Sequence, residues 1–493
     1  MDTRIEVMEA PLREVAFKSL SIGWRWVASV VPLLLVFGWG AYNLIFQQWR
    51  HGLEVTGLNV SIYWGLYIVN FVFLIGVSAG GIIVGALAYA AGIERFRPIA
   101  RIAELMAISC LILATLFIFV SIGAPDRFYF LFLYGRLGSP LIWDVIIVLA
   151  YLVLALVLGY FGTRADLVRC MDALPRRRWL YRLLALGYTD LSPRALQRDK
   201  KILTALAIVS IPAAVLLHSI TAWILGLVKA RVTWHTSLMG PLFVVSAVVS
   251  GLALVILSAI AARFFLGLRV RREIIVDLGK LLALSIPVLG YFLFAELLTV
   301  TFGKESAHMH VFGQMIWGEF APLFWVNLVG GLVLPLFLLV MPSRFSARWV
   351  FARAAAATAL AGVMLAVWTW SPGEVQTQVS TWMPGWGEFS PPGWALGMLI
   401  FLILALTIIV PSTSDFVRVG TAASLVVVGV FLERTNIVVL PQLHRLLFPF
   451  YPHGSYTPTV VELSIIAGIY ALGALFFALC AKIIPLVEME KEA

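Results

Sequence analysis

The sequence predicts an all-α protein that crosses a membrane many times. Of its 493 residues, 61% are hydrophobic and 13% are charged, whereas about a quarter of the residues in a soluble domain are charged. Mean hydropathy is +0.97, and apolar runs long enough to cross a bilayer core of about 30 Å recur along the chain. Because lipid cannot satisfy irregular backbone or open sheet edges, these runs are predicted to be helices.

Twelve such helices are predicted, with ends uncertain by about four residues. Their ranges are 26–46, 62–91, 101–123, 140–162, 202–227, 239–262, 281–302, 320–341, 348–368, 394–411, 416–432 and 461–484. The second and sixth share an orientation and are rich in small residues that permit close packing. These residues are Gly76, Ser78, Ala79, Gly80, Gly81 and Gly85, and Pro241, Ser246, Ala247, Ser250, Gly251 and Ala253.

The offset of four helices between these two predicts two similar four-helix bundles with flanking helices, a ten-helix core plus an inserted pair. The predicted units are the N-terminal segment and first helix (1–61), the first bundle (62–232, with a basic loop 163–201), the second bundle (233–341 and 412–433), the inserted pair with its tryptophan-rich loop (342–411), and the outer loop with the last helix (434–493).

Basic residues are distributed unevenly between the two sides of the membrane. If the amino terminus lies inside, eight of the 36 Lys and Arg residues are on the outer side and 28 are on the inner side. This asymmetry follows the positive-inside rule, so we expect a bacterial or archaeal cytoplasmic membrane with both termini cytoplasmic. The net charge of +10 then reflects orientation. Membrane lipid is the expected partner, and no nucleic acid is predicted to bind.

The residue inventory argues against several cofactor classes. The three cysteines form no C-x-x-C pair, and only His218 of the seven histidines lies deep within a predicted helix. The paired axial ligands of a di-haem cytochrome b are therefore missing. There is also no Walker loop, haem-attachment motif or zinc helix. We predict no haem or metal in this chain.

His218 is the leading candidate for chemistry. It is the only ionisable residue in the predicted helix 202–227 and lies roughly 13 Å from the nearer end at the rise of an α-helix. An imidazole at that depth needs a polar partner or a ligand. One interpretation is an interhelical hydrogen bond without chemistry. The other is a group that binds, or exchanges protons with, a molecule dissolved in the membrane.

Asp144 is the second candidate, because it lies about 6 Å inside the helix that begins at Pro140. A desolvated carboxylate can exchange protons near neutral pH. It could instead form a salt bridge with Arg127 or Arg136 in the preceding loop. Two further polar residues, Tyr67 and Asn70, reach comparable depth on the second helix, Asn70 being about 12 Å in. We predict that these side chains line one pocket toward the outer leaflet.

Two glutamates are candidates for a proton path. Glu104 lies a few residues inside the third helix and could simply pair with Arg95, Arg97 or Arg101. Glu296 lies near the outer end of the seventh helix. Both are ionisable groups within apolar segments, which are expensive to bury and are therefore functional candidates.

Several stretches carry a family resemblance in a specific order and spacing. They are 73–81 (FLIGVSAGG), 97–104 (RPIARIAE), 125–128 (PDRF), 139–144 (SPLIWD), 218–223 (HSITAW), 234–236 (WHT), 250–251 (SG) and 455–459 (SYTPT). In these the chain resembles the NrfD family of polysulfide-reductase membrane subunits. It is most similar to the longer ten-helix members, such as those of hydrogenase-2, the Dsr complex and alternative complex III.

The resemblance implies two four-helix bundles, no bound haem, and a quinone site near the outer face against an iron-sulfur partner. Asp144 and His218 occupy the motif positions of site residues. The quinone-binding set implied by these stretches and by the depth argument is Tyr67, Asn70, Ser121, Arg127, Trp143, Asp144, His218, Trp223 and His235. Ser121 stands where the family usually has Asp or His.

The sequence thus predicts a quinone-reactive subunit of a respiratory oxidoreductase, with menaquinone or ubiquinone as bound substrate. The expected partners are a ferredoxin-like 4Fe-4S subunit on the outer face and a molybdopterin enzyme, hydrogenase or multihaem cytochrome. Such a subunit is not expected to be catalytic alone. The alternative is a secondary transporter or another ion-translocating membrane protein, because repeated bundles with polar groups at depth also fit one.

Overall fold

The structure is a computed structural model that describes residues 24–231, 233–266, 270–316, 321–340, 414–443 and 456–486. All regular secondary structure in these residues is helical. Ten helices among them are long and apolar enough to cross a membrane. The prediction of an all-α, multi-pass membrane protein is confirmed, whereas the count of twelve is not. The predicted inserted pair 342–411 lies outside the described residues.

In the described residues, the membrane-length helices are joined by turns and by shorter helices, of which α8 is the longest. In chain order the helices are α1 (Trp24–Asn43), α2 (Leu66–Gly85), α3 (Arg97–Ser121), α4 (Pro140–Ala173), α5 (Pro193–Gly226), α6 (Met239–Leu266), α7 (Arg272–Gly303), α8 (Ser306–Ile316), α9 (Ala321–Val340), α10 (Asp415–Val438) and α11 (Val460–Ile483). π-Helical turns extend α1 and α2, and a longer π-helical stretch, Val326–Val333, interrupts α9.

Several helices run well past the ends predicted from hydropathy. The predicted basic loop 163–201 is largely helical, because α4 continues to Ala173 and α5 begins at Pro193. There Arg164 Nε donates to Asp199 Oδ2 at 2.9 Å. Likewise α10 continues beyond its predicted end, so Arg434 is a buried helical residue and not a loop residue. These predicted ends were wrong because hydropathy marks where lipid contact stops and not where helical hydrogen bonding stops.

The helices pack as two rings of four. In the first ring α2 packs against α3, α3 against α4, α4 against α5, and α5 against α2. In the second ring α6 packs against α7, α7 against α9, α9 against α10, and α10 against α6. Helices α1 and α11 pack against each other, and α11 also packs against α3. The domain limits proposed from the sequence remain a prediction.

The two rings meet where α2 contacts α6. A Cβ atom placed on Gly80 would overlap the carbonyl group of Gly251, and a Cβ atom on Gly251 would overlap the backbone of Gly80. Only glycine allows two helix backbones to touch in this way. The small residues that predicted close packing of these two helices are therefore confirmed in that role.

One end of the molecule is here called the Trp234 end. It contains the turns that follow α3 and α5, and also the turn that precedes α2. Trp234 is fully buried there and stacks on Trp64 with ring centroids 5.5 Å apart. Arg231, also buried, donates to the carbonyl groups of Ser61 and Pro441, at 3.1 Å each. The turn between α5 and α6 therefore ties the two rings together at this end.

The segment before α11 holds the turn before α2 in place. Tyr456 accepts a hydrogen bond from the Leu66 amide at 2.8 Å and donates to the Glu462 carboxylate. Burial, reinforced by Glu462, raises the pKa of the Tyr456 hydroxyl, so this donor stays protonated. Thr459 Oγ1 donates to the Val55 carbonyl at 2.7 Å. Residues 456–459 thus form a structural clasp, and no hydrogen bond, ion pair or ring contact among the described residues joins them to His218 or Asp144.

Candidate functional site

Three polar side chains from α4 and α5 come together in the first ring. The Asp144 side chain is buried, with 3% of the residue exposed, and its Oδ1 accepts a hydrogen bond from Thr221 Oγ1 at 2.6 Å. His218, also 3% exposed, lies three residues before Thr221 and therefore on the same face of α5. The structure thus buries both predicted catalytic residues beside Thr221, which donates to Asp144 and shares a helix face with His218. Together they are called the Asp144–His218 group.

The imidazole of His218 is held in one orientation. Its Nδ1 lies 2.6 Å from the carbonyl oxygen of Ala214, and since a carbonyl only accepts, Nδ1 carries the hydrogen. In the neutral ring Nε2 is then an acceptor, and it is buried with no hydrogen-bond partner in the described part of the chain. Leaving such an atom unpaired costs about 1–3 kcal/mol. The backbone of Ile75 and Gly76 on α2 also lies against the ring, and Nε2 can accept a hydrogen bond from any donor that reaches it.

Asp144 is not neutralised by the loop arginines that the sequence offered as partners. It forms no ion pair with any residue the structure describes. Arg127 is mostly exposed and lies 3.9 Å from Asp126, and Arg136 is exposed. The salt-bridge alternative is therefore wrong, and Thr221 is the observed partner of the carboxylate.

Tyr67 and Asn70 are buried too, but they form a second group toward the flanking helices. The Tyr67 hydroxyl donates to Gln48 at 2.7 Å, and Asn70 Oδ1 accepts from the Tyr470 hydroxyl at 2.7 Å. Over the described ranges, no hydrogen bond, ion pair or ring contact links this group to the Asp144–His218 group. A single shared pocket remains a prediction.

The other predicted quinone-binding residues lie nearer the Trp234 end. Ser121, Trp143 and His235 each donate to a backbone carbonyl in their own segment, at 2.7, 2.7 and 2.8 Å. Trp143 and Trp223 are about half exposed, at 49% and 50%. The polar atoms of Ser121, Trp143 and His235 are thus directed along the chain and not toward the buried carboxylate.

Glu104 lies in the half of the first ring away from the Trp234 end. It is 4% exposed, and its Oε2 is 3.2 Å from the position a Cβ atom would occupy on Gly162. Of the arginines predicted as its partners, Arg101 pairs with Asp166 at 2.6 Å and Arg95 pairs with a residue of α7. Glu104 therefore occupies space that glycine on α4 leaves open.

Glu296 lies in the second ring, away from the Asp144–His218 group. It is half-buried and lines a cavity of about 230 Å³ between α6, α7, α9 and α10. Glu433, 3% exposed, lines the same cavity and accepts a hydrogen bond from Ser246 at 2.7 Å. The two predicted proton-path residues, Glu104 and Glu296, are thus in different rings.

Sequence reasoning missed several of these residues. Thr221 carries a detectable signal, since a hydroxyl three positions after His218 must share its helix face. Gln48, Tyr470 and Glu433 carried no such signal, because their roles depend on contacts between helices far apart in sequence. Over the residues that are described, no group of three His, Cys, Asp or Glu side chains is placed to hold a metal ion.

Comparison with known proteins gives a consistent picture. The family model described as polysulphide reductase, NrfD, matches residues 54–372. A proposed membrane subunit of dimethyl sulfoxide reductase from Halobacterium salinarum is 33% identical over 329 residues, which is 66% of this chain and 72% of that protein.

Two further relatives have names that refer to redox complexes. A selenate reductase subunit from Mesobacillus selenatarsenatis is 27% identical, over 61% of this chain and 71% of its own length. The Hdr-like menaquinol oxidoreductase integral membrane subunit of Archaeoglobus fulgidus is 26% identical, over 66% and 74%. With a family match covering more than half of its residues, this multi-pass membrane protein belongs to the NrfD polysulphide reductase family.

Proposed function

We propose that this chain is the quinone-reactive membrane subunit of a respiratory oxidoreductase complex, with its site at Asp144 and His218. One observation carries the proposal: a buried carboxylate on α4 faces α5, where a buried imidazole presents an unpartnered Nε2. Membership of the NrfD family and the names of its relatives, one of them a menaquinol oxidoreductase subunit, support a quinone as the substrate.

The chemistry requires two proton-handling groups, because oxidation of a quinol releases two electrons and two protons. His218 Nε2 would accept a hydrogen bond from one ring hydroxyl and then take up its proton, since Nδ1 is already committed to Ala214. Asp144 would take up a proton, with Thr221 fixing the orientation of its carboxylate. In the opposite direction the same groups would supply protons to a quinone being reduced.

The electron partner in this proposal is a ferredoxin-like 4Fe-4S subunit that docks at the Trp234 end, on the outer face of a bacterial or archaeal cytoplasmic membrane. The positive-inside distribution of basic residues supports this orientation. A molybdopterin enzyme, hydrogenase or multihaem cytochrome would complete the complex. Relatives named as subunits of selenate and dimethyl sulfoxide reductases support a further enzyme subunit.

Proton translocation is a further part of the proposal. Glu104 and Glu296 are carboxylates placed within membrane-length helices, where an ionisable group is expensive unless it has a function. Complexes reconstituted in sealed vesicles should generate a membrane potential during quinol turnover. Turnover without any change in potential would contradict this part and leave the quinone site unaffected.

The decisive experiment uses the intact complex purified from membranes. His218→Ala and Asp144→Asn should each lower quinol turnover by about 10²–10⁴-fold, the range typical of a lost general acid or base. Matched controls are His51→Ala and Asp172→Asn, which make the same changes at exposed positions. Unchanged turnover in both site variants would contradict the assignment. Purification also tests the transporter alternative, since a transporter should be isolated without iron-sulfur or haem proteins.

A further inference from the structure

We infer that the cavity of the second ring is a second binding site, separate from Asp144 and His218, that takes the hydroxylated ring of a membrane quinol. The inference goes beyond the proposed function, whose quinone site lies in the first ring and which assigns the second ring no ligand. It rests on the shape of the cavity, the polar atoms that it leaves unpaired, and its position at the bundle surface.

The cavity is small and largely apolar. Its volume is about 230 Å³, and fifteen of its twenty lining residues are apolar. Helix α8 covers one side with Val311, Phe312 and Met315, and Phe324 of α9 adds a second aromatic ring. Pockets for drug-sized molecules measure about 300–1,000 Å³, so this space suits one ring system and not an entire amphiphile. Apolar walls of this kind disfavour a cavity filled only with water.

Polar atoms without partners are concentrated on the other side of the cavity. Thr233 Oγ1, Glu433 Oε1 and Asn436 Oδ1 are buried oxygens with no hydrogen-bond partner among the residues described, and all three residues line the cavity. Glu433 and Asn436 are 3% and 7% exposed. Buried polar atoms are normally satisfied. The Glu433 carboxylate and Asn436 Oδ1 accept hydrogen bonds, and the Thr233 hydroxyl can accept or donate. These orphaned oxygens therefore indicate a ligand that donates hydrogen bonds.

Glu433 is held in place for this role. Its Oε2 accepts a hydrogen bond from Ser246 of α6 at 2.7 Å, which leaves Oε1 as the unpaired oxygen of a positioned carboxylate. Asn327 and Glu296 add an amide and a second carboxyl group to the lining. An amide can donate to a ring oxygen that a carboxylate cannot bind. The lining therefore offers both acceptors and donors, as a ring with two oxygen substituents requires.

The cavity also lies at the lipid-facing surface of α7. Phe294 lines it and is 58% exposed. Gly290, one turn earlier on α7, also lines the cavity, and a Cβ atom there would meet nothing within 4 Å. Neighbouring large apolar residues such as Tyr291 and Leu298 are exposed, as expected of a helix face in contact with lipid. A head group inside the cavity could therefore keep a long apolar tail in the bilayer.

Other occupants fit the lining less well. A phospholipid head group carries a negatively charged phosphate, which two nearby carboxyl groups would repel. A bare divalent cation needs about six or more oxygen ligands around it, whereas most of this lining is hydrocarbon. A neutral ring with hydroxyl groups combines an apolar body with the hydrogen-bond donors that the orphaned oxygens lack.

Photolabelling tests the inference on the full-length chain in phosphatidylglycerol nanodiscs. The probe is a short-chain naphthoquinol that carries a diazirine, and labelled peptides are mapped by mass spectrometry. We expect labels on peptides containing 290–297 or 433–441, removed by excess short-chain menaquinol. Leu297→Trp, which fills the cavity from its lining, should reduce these labels by roughly ten-fold. Leu298→Trp makes the same change one position away on the lipid-facing surface and should leave them unchanged.

A second variant separates ligand binding from misfolding. Asn436→Leu keeps the number of side-chain heavy atoms but removes the amide group, including one orphaned acceptor. It should lower labelling of the same peptides, while the size-exclusion profile stays that of the unmodified protein. Labels that are equal in Leu297→Trp and Leu298→Trp would overturn the inference. So would labelling that excess short-chain menaquinol does not remove, or that excess phosphatidylglycerol removes equally well. In an Asp144→Asn, His218→Ala double variant the second-ring labels should persist, so a failure of the proposed function is distinguishable from a failure of this inference.

Discussion

The two rings contain the same pair of interacting groups in different surroundings. In the first ring Thr221 donates to Asp144 at 2.6 Å, and in the second Ser246 donates to Glu433 at 2.7 Å. Each pair joins two neighbouring helices through a hydroxyl and a carboxylate. The first pair has a buried imidazole on the same helix face, whereas the second lines a cavity with unpaired oxygens around it.

In both rings a hydroxyl on a neighbouring helix holds a buried carboxylate. The side chains around each pair, and not the pair itself, distinguish the two sites. In the proposed function, the imidazole beside the first pair allows proton exchange with a reacting ring. In the inferred second site, the apolar walls and orphaned oxygens around the second pair allow it to bind a ligand. Substitutions at Thr221 and Ser246 test this contrast directly, and three further substitutions test the contacts that hold the two rings and the site in place.

The largest effect is expected at Thr221. Thr221→Val keeps the shape but removes the donor to Asp144, and a buried acceptor left unpaired costs about 1–3 kcal/mol. Turnover of the complex should fall by about ten-fold or more, and Thr221→Ser should restore it because the hydroxyl returns. A shifted pH profile of kcat, absent in the serine variant, would distinguish positioning of the carboxylate from loss of fold.

Ser246→Ala removes the equivalent donor in the second ring and is the matched control. Turnover should change little, because Glu433 lies outside the Asp144–His218 group. Equal losses in the Thr221 and Ser246 variants would show that the two rings do not differ in the way proposed.

The next largest effect is expected where the rings touch. Gly80→Ala places a methyl group against the backbone of Gly251, and forced overpacking costs about 1–3 kcal/mol. The Tm of the purified protein should fall by several degrees. Gly38→Ala is the same substitution at a helical position where a Cβ atom meets nothing within 4 Å, and it should leave Tm unchanged or slightly higher. Equal changes in Tm for Gly80→Ala and Gly38→Ala would argue that the Gly80–Gly251 contact does not hold the two rings together.

A smaller loss is expected at Tyr456. Tyr456→Phe removes the acceptor for Leu66 and the donor to Glu462, so the free energy of unfolding should fall by about 1–2 kcal/mol. Tyr63→Phe, at a residue that is 43% exposed, should have no measurable effect. Since the clasp touches α2 but not His218, the turnover of the folded protein should be retained; a loss of turnover without a loss of stability would contradict a purely structural role.

The smallest effect is expected at Arg127. Its ion pair with Asp126 is exposed and 3.9 Å long, and such pairs contribute about 0–1 kcal/mol. Arg127→Ala should therefore change Tm very little. A large drop in quinol turnover in this variant would support the sequence prediction that Arg127 contacts the quinone. An unchanged rate would argue that only the buried groups contact it.

Much of the fold was predictable because lipid constrains it so strongly. Each apolar run had to become a helix, and the glycines at 80 and 251 marked a close approach that the structure contains. Helix ends were less predictable, because the extensions of α4 and α5 are held by contacts such as Arg164–Asp199 that lie beyond the apolar runs. The tryptophan-rich loop predicted within 342–411 lies outside the described residues.

The candidate site was predictable only for residues that stand out within the sequence of their own helix. His218 stood out because an ionisable residue in an uncharged run is costly, and Asp144 stood out for the same reason. Their partner Thr221 and the Gln48–Tyr67 contact depend on how helices pack, which periodicity alone does not determine. The salt bridge offered for Asp144 was wrong for a related reason: a loop arginine close in sequence remained at the surface.

Arg231 has a consequence for how the protein is assembled with other subunits. Its guanidinium joins backbone that is 170 positions earlier to backbone that is 210 positions later. This junction at the Trp234 end therefore forms only when segments from both rings have come together. In the proposed complex, a subunit that docked there would distinguish a fully inserted chain from one whose last helices are still missing.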